Sequence, residues 1–221
     1  MADLILFDID GTLVRRAGPH HRQALVDAVR AVTGIETTTD GIPVHGMLDP
    51  TILAEMMRTA GLDDATIVRY MPAIIEAAQD LYQHSVPDLR DKTCPGVPPL
   101  LDRLRDRGIP LALVTGNLTR IGWRKLERAG LDHYFRFGAF GEMAATRGGL
   151  ARLAIDQARR EGIGGTAIAL IGDAPQDVQA ARENGVRSIA VRTGITPPED
   201  LVAAAPDLLL DDLTQLDLSI I

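Results

Sequence analysis

Short runs of consecutive apolar residues alternate along this chain with longer stretches in which apolar residues recur every three or four positions. Residues 4–7, 109–114, 166–171 and 188–191 are runs of the first kind and read as buried strands; 135–137 and 208–210 read as shorter ones. Stretches of the second kind read as helices. One starts near Pro19, carries Leu25, Val29 and Val32, and stops at Gly34. Another is expected to open with Asp49 as cap and Pro50 at its first position, to carry Ile52, Leu53, Met56 and Met57, and to end at Gly61. A third starts at Asp63 or Asp64, with Ile67, Met71, Ile74, Ile75, Ala78 and Leu81 at helical spacing.

Residues 14–92 therefore look all-helical, and strand and helix alternate after them. Helices are expected after Pro98-Pro99 (Leu100, Leu101, Leu104), around Trp123, Leu126 and Ala129, over 148–160 and over 177–183. Such alternation predicts an α/β fold: a Rossmann-like, doubly wound parallel sheet with an inserted α-helical domain. The expected division is a core made of residues 1–14 and 93–221 and a helical cap made of residues 15–92. In sheets of this kind ligands sit off the carboxyl ends of the strands.

Three strand-like runs end in reactive tips: Phe7 into Asp8-Ile9-Asp10-Gly11-Thr12, Val114 into Thr115-Gly116-Asn117, and Ile171 into Gly172-Asp173, with Asp177 four residues on. Paired carboxylates suit a site in which one oxygen attacks while another carboxyl moves protons, and they suit a hard cation. The Thr115 hydroxyl and nearby N–H groups can hold phosphate oxygens. Each tip alone could equally be a capped turn or helix start; three together are harder to explain that way. Arg147, before the helix expected near Gly148, could supply a cation, with Arg136 a weaker rival, or could be a solvated arginine.

Composition narrows the classes. With 221 residues, 46 % of them apolar, the chain can bury a substantial core. A net charge of −7 argues against nucleic acid or an anionic membrane as the main partner. No apolar run approaches membrane-spanning length, and the start of the chain lacks the basic and apolar segments of a leader. The single cysteine, Cys94, reads as structural and fits a reducing compartment, so a cytoplasmic protein is expected.

The motifs resemble, in order and spacing, those of the haloacid dehalogenase-like hydrolase superfamily. The helical insert is similar to the cap of its phosphoglycolate phosphatase-like and β-phosphoglucomutase-like members. The resemblance implies Asp8 as nucleophile, Asp10 as general acid and base, and Mg²⁺ held by Asp8, the Asp10 main-chain carbonyl and Asp173. It implies Asp177 as an auxiliary acid, and Thr115, Gly116, Asn117 and Arg147 as phosphate binders. The family usually has lysine where Arg147 stands, and a hydroxyl residue where Ala174 follows Asp173.

The activity that the resemblance implies is Mg²⁺-dependent hydrolysis of a small phosphorylated metabolite, by a monomer or weak dimer. The alternatives are a phosphomutase and a binding protein without turnover. Dehalogenase relatives carry an aromatic residue where Asp10 stands, and phosphonatase relatives a cap lysine, absent here between Asp10 and Lys92. In the cap, Met47 and Leu48 replace the basic and hydroxyl positions of many phosphatase relatives. His45 could meet the substrate or cap a loop. Arg15, Arg16, His20 and His21, at the cap entry, are expected to be solvated, although one arginine such as Arg15 could reach the substrate.

Overall fold

Six parallel strands form one sheet in the computed structural model of the chain, which describes residues 3–15, 18–163 and 165–219. The elements are β1 (Leu4–Phe7), α1 (His20–Thr33), α2 (Asp49–Thr59), α3 (Asp64–Ser85), α4 (Val97–Asp106), β2 (Leu111–Val114) and α5 (Thr119–Ala129). After them come β3 (Phe137–Ala139), α6 (Arg147–Arg160), β4 (Ile168–Gly172), α7 (Pro175–Glu183), β5 (Arg187–Val191), α8 (Pro198–Ala203) and β6 (Leu208–Leu210). Their order across the sheet is β3-β2-β1-β4-β5-β6.

The strands are short and apolar because both faces of the sheet are covered. Alternate side chains of β1 enter different cores: Leu4 and Leu6 pack with Leu150 and Ala154 of α6, Ile5 and Phe7 with Leu104 of α4 and Leu126 of α5. The second of these cores runs on without a break into the helical insert, through Val29, Met56 and Tyr82.

β1 lies between β2 and β4, with Phe7 level with Leu113 on one side and Ile171 on the other. This register brings the three reactive tips to one edge of the sheet, at the point where strand order reverses. The insert leaves and rejoins the sheet domain side by side. Val14 bridges Thr93 in antiparallel fashion, and the Arg15 N–H donates to Lys92 O at 2.7 Å.

Several expectations shift. The third strand begins at Phe137, because residues 132–134 form a 3₁₀ turn and Phe135 places its apolar ring in an edge contact with Phe7, 5.9 Å between centroids. Asp49 does not cap α2: it is the first helical residue, Leu48 precedes it, and its carboxylate reaches the sheet domain instead. α8 is too short to show a period, with only Leu201 buried. Cys94 is buried, and burial pushes its thiol up to about 11, in keeping with an inert structural role.

Candidate active site

Asp8 leaves β1 with its main-chain N–H donating to Ile171 O at 2.9 Å, so its position is fixed by the sheet itself. Its buried carboxylate accepts from Arg147 Nη1 at 3.0 Å. Arg147 opens α6, where Thr146 caps the helix by accepting from Gly149 N. A cation at a helix N-terminus opposes the helix dipole, so something else must hold it there. That something is a pair of acids: Arg147 Nε also lies 3.3 Å from Asp177 Oδ1, and Nη1 donates to Val114 O at 3.3 Å.

Asp8, Asp173 and Asp177 place carboxylate oxygens within 4.8 Å of one another, all buried. Burial acts on all three, and repulsion by neighbouring acids on Asp8 and Asp173. Asp8 is pushed up to about 7, by burial first and then by Asp177 and Asp10, against the pull of Arg147. Asp173 and Asp177 are raised as well, both chiefly by burial. Asp173 Oδ2 and Asp177 Oδ1 have no hydrogen-bond donor among the described residues. A side chain on Gly11 or Gly194 would run into the Asp173 carboxylate, so the backbone is pared back around it. Buried oxygens with no donor, gathered in an all-carboxylate set, fit a hard divalent cation.

Asp10 faces away from this cluster. Its carboxylate keeps 44 % of its side-chain surface open to the cavity and meets Lys125 Nζ at 2.7 and 2.6 Å. Burial would raise its pKa, but Lys125 and then His21 outweigh that, and the carboxyl sits below its ordinary value. Asn117 Nδ2 donates to Asp10 Oδ2 and to Thr115 Oγ1, each at 2.7 Å. The Asn117 side chain thus builds the wall of the site, while the Thr115 hydroxyl, accepting from Asn117, keeps a proton to donate. At Gly116 the cap's Met47 carbonyl occupies the place a Cβ would take.

The cap reaches the same edge. Asp49 Oδ2 accepts from Leu118 N at 2.8 Å, and Asp49 N donates to Gly116 O at 2.8 Å. His21 Nε2 lies 2.9 Å from Asp49 Oδ2, and Lys125 Nζ lies 3.1 Å from His21 Nδ1. His21 was expected to be a solvated hinge residue; it is instead a link between cap and core. His45 contacts Thr196 Oγ1 and stands 3.6 Å from Asp173 Oδ2. Arg15 is exposed and does not line the cavity; Arg16 lies outside the described residues. A cavity of about 440 Å³ runs between cap and core, with Asp8, Asp10, Thr115, Arg147 and Asp173 on one side and Arg22, Leu25, Val44 and Ile52 on the other.

Sequence reasoning passed over Lys125, although a signal was present. Ile121, Lys125 and Ala129 are spaced four apart on the buried face of α5, and lysine on an apolar stripe has a reason to be there.

Residues 2–185 match the family model described as haloacid dehalogenase-like hydrolase. The chain is 30 % identical to a phosphoglycolate phosphatase of Synechococcus elongatus, over 96 % of this chain and 94 % of that one. Its fold resembles CbbY of Rhodobacter sphaeroides, solved with xylulose-(1,5)bisphosphate (TM-score 0.73, 24 % identity, 98 % of this chain and 96 % of that one). It also resembles a beta-phosphoglucomutase of Clostridium difficile (TM-score 0.73, 18 % identity, 100 % of this chain and 95 % of that one).

Proposed function

This chain belongs to the haloacid dehalogenase-like hydrolases, and from that membership we propose that it is a Mg²⁺-dependent phosphatase of a small phosphomonoester metabolite, of the phosphoglycolate type. The observation that carries the reading is the meeting of the buried carboxylates of Asp8, Asp173 and Asp177 at the sheet edge, with the Arg147 guanidinium held between Asp8 and Asp177.

In this reading Asp8 attacks phosphorus in line with the ester oxygen. The P–O ester bond breaks, its electron pair stays on the leaving oxygen, and Asp10, ionised beside Lys125 in the resting site and protonated from solvent as the anionic substrate enters, gives that oxygen a proton. Water then attacks the aspartyl-phosphate while Asp10 takes a proton back; the bond from phosphorus to Asp8 breaks and inorganic phosphate leaves. Asp8 and Asp173, with the Asp10 main-chain carbonyl, would hold Mg²⁺, which when bound neutralises part of the negative charge that would otherwise repel the nucleophile. Arg147 supplies fixed positive charge beside Asp8, and Thr115 donates to a phosphate oxygen. The contacts of Asp49 and His45 seat the cap over the cavity and exclude water during the transfer.

The small cavity supports a small substrate. Inorganic phosphate release from p-nitrophenyl phosphate and from a panel of phosphometabolites that includes phosphoglycolate, with Mg²⁺ and with EDTA, tests the reading. Turnover in Mg²⁺, loss in EDTA and at least a ~10³-fold loss of kcat in Asp8→Asn are expected. An Asp8→Asn enzyme as active as the wild type sinks it.

A further inference from the structure

Lys125 is 1 % exposed and lies on the buried face of α5, between Ile121 and Ala129. An ammonium buried there loses its hydration and must be compensated by partners close at hand. It has them: both carboxylate oxygens of Asp10 at 2.7 and 2.6 Å, Asn117 Oδ1 at 2.6 Å, and His21 Nδ1 at 3.1 Å. His21 Nε2 in turn lies 2.9 Å from Asp49 Oδ2. With its three protons directed at Asp10, Asn117 and His21, the ammonium has none left over for a phosphate oxygen. Asn117 Nδ2 grips the same Asp10 carboxylate from a second direction. The carboxylate is thus held by one donor on α5 and one on the loop after β2, and it still opens onto the cavity.

We propose that Lys125 is a positioning residue for Asp10: it aims the proton-carrying carboxyl at the oxygen that leaves phosphorus. This role rests on the proposed phosphoryl transfer. Lys125 acts through Asp10 and not on the phosphate, so its effect depends on how much the leaving oxygen needs a proton. Nitrophenolate departs without one; an alkoxide does not.

The test compares kcat/KM for p-nitrophenyl phosphate and for phosphoglycolate, or the best alkyl ester of the panel, because kcat/KM reports only the steps up to departure of the leaving group. Lys125→Met is expected to lose at least tenfold more on the alkyl ester than on the aryl ester. Asp10→Asn, run alongside, is expected to discriminate in the same direction. Should Lys125→Met fail to fold by thermal melt, Lys125→Gln, which keeps one donor, carries the same comparison. Equal losses on both esters, or no loss, in a folded Lys125 variant while Asp10→Asn discriminates would overturn the positioning role and leave the phosphatase reading standing. An Asp10→Asn enzyme that does not discriminate overturns proton delivery by Asp10, and the role of Lys125 with it.

Discussion

At the scale of single residues, two cations divide three acids between them. Arg147 serves Asp8 and Asp177, and Lys125 serves Asp10. On the proposed reading the division has a physical motive, because a nucleophile and a proton carrier need different surroundings. Asp8 sits buried among other acids, and Asp10 is half open beside an amine. Replacing Arg147 by methionine is expected to lower kcat by about 10²–10³-fold, the scale of losing one fixed electrostatic contact to the reacting group. Arg147→Lys should keep more activity than Arg147→Met while losing the forked contact to two acids. Steady-state rates on p-nitrophenyl phosphate, with melting curves to confirm folding, check both. Arg147 was legible as a candidate because it stands at a helix start. Lys125 was harder to find because its partners, Asp10 and His21, lie more than a hundred positions away.

At the scale of elements, the order of strands and helices was legible because apolar runs and apolar periods differ plainly. The ends were less so. β3 slipped because Phe135 is apolar for tertiary reasons, and Asp49 looked like a cap because local spacing cannot show that Leu118 N waits across the molecule. The helices of the cap also hold an imperfection. Tyr82 of α3 is fully buried, and its hydroxyl has no hydrogen-bond partner among the described residues. An unpaired buried hydroxyl costs about 1–3 kcal/mol. Tyr82→Phe keeps the ring beside His21 and is therefore expected to stabilise the protein by up to about 1 kcal/mol, read as a higher urea midpoint with an unchanged slope.

For the whole molecule, the acidic cluster makes stability depend on pH and on cation. A carboxyl raised from 3.8 to about 7 on folding, as in Asp8, keeps a proton that the unfolded chain has already released. Metal-free protein is then expected to lose stability as pH rises from about 4 to about 7, by several degrees in Tm. Asp173 and Asp177, also raised, add to the loss, while Asp10, lowered, works the other way. Mg²⁺ should restore the loss, and more at pH 8 than at pH 5; melting curves in EDTA and in Mg²⁺ across that range check it. One further consequence comes from the pairing of Val14 with Thr93. Both ends of the insert cross at one spot, so the cap has a pivot and no rail. On the proposed reading the cap swings about that spot as substrate enters, and a single angle sets the height of every cap residue above Asp8. Selection among substrates by size then becomes selection of an angle: a molecule too tall props the lid ajar, and water stays in.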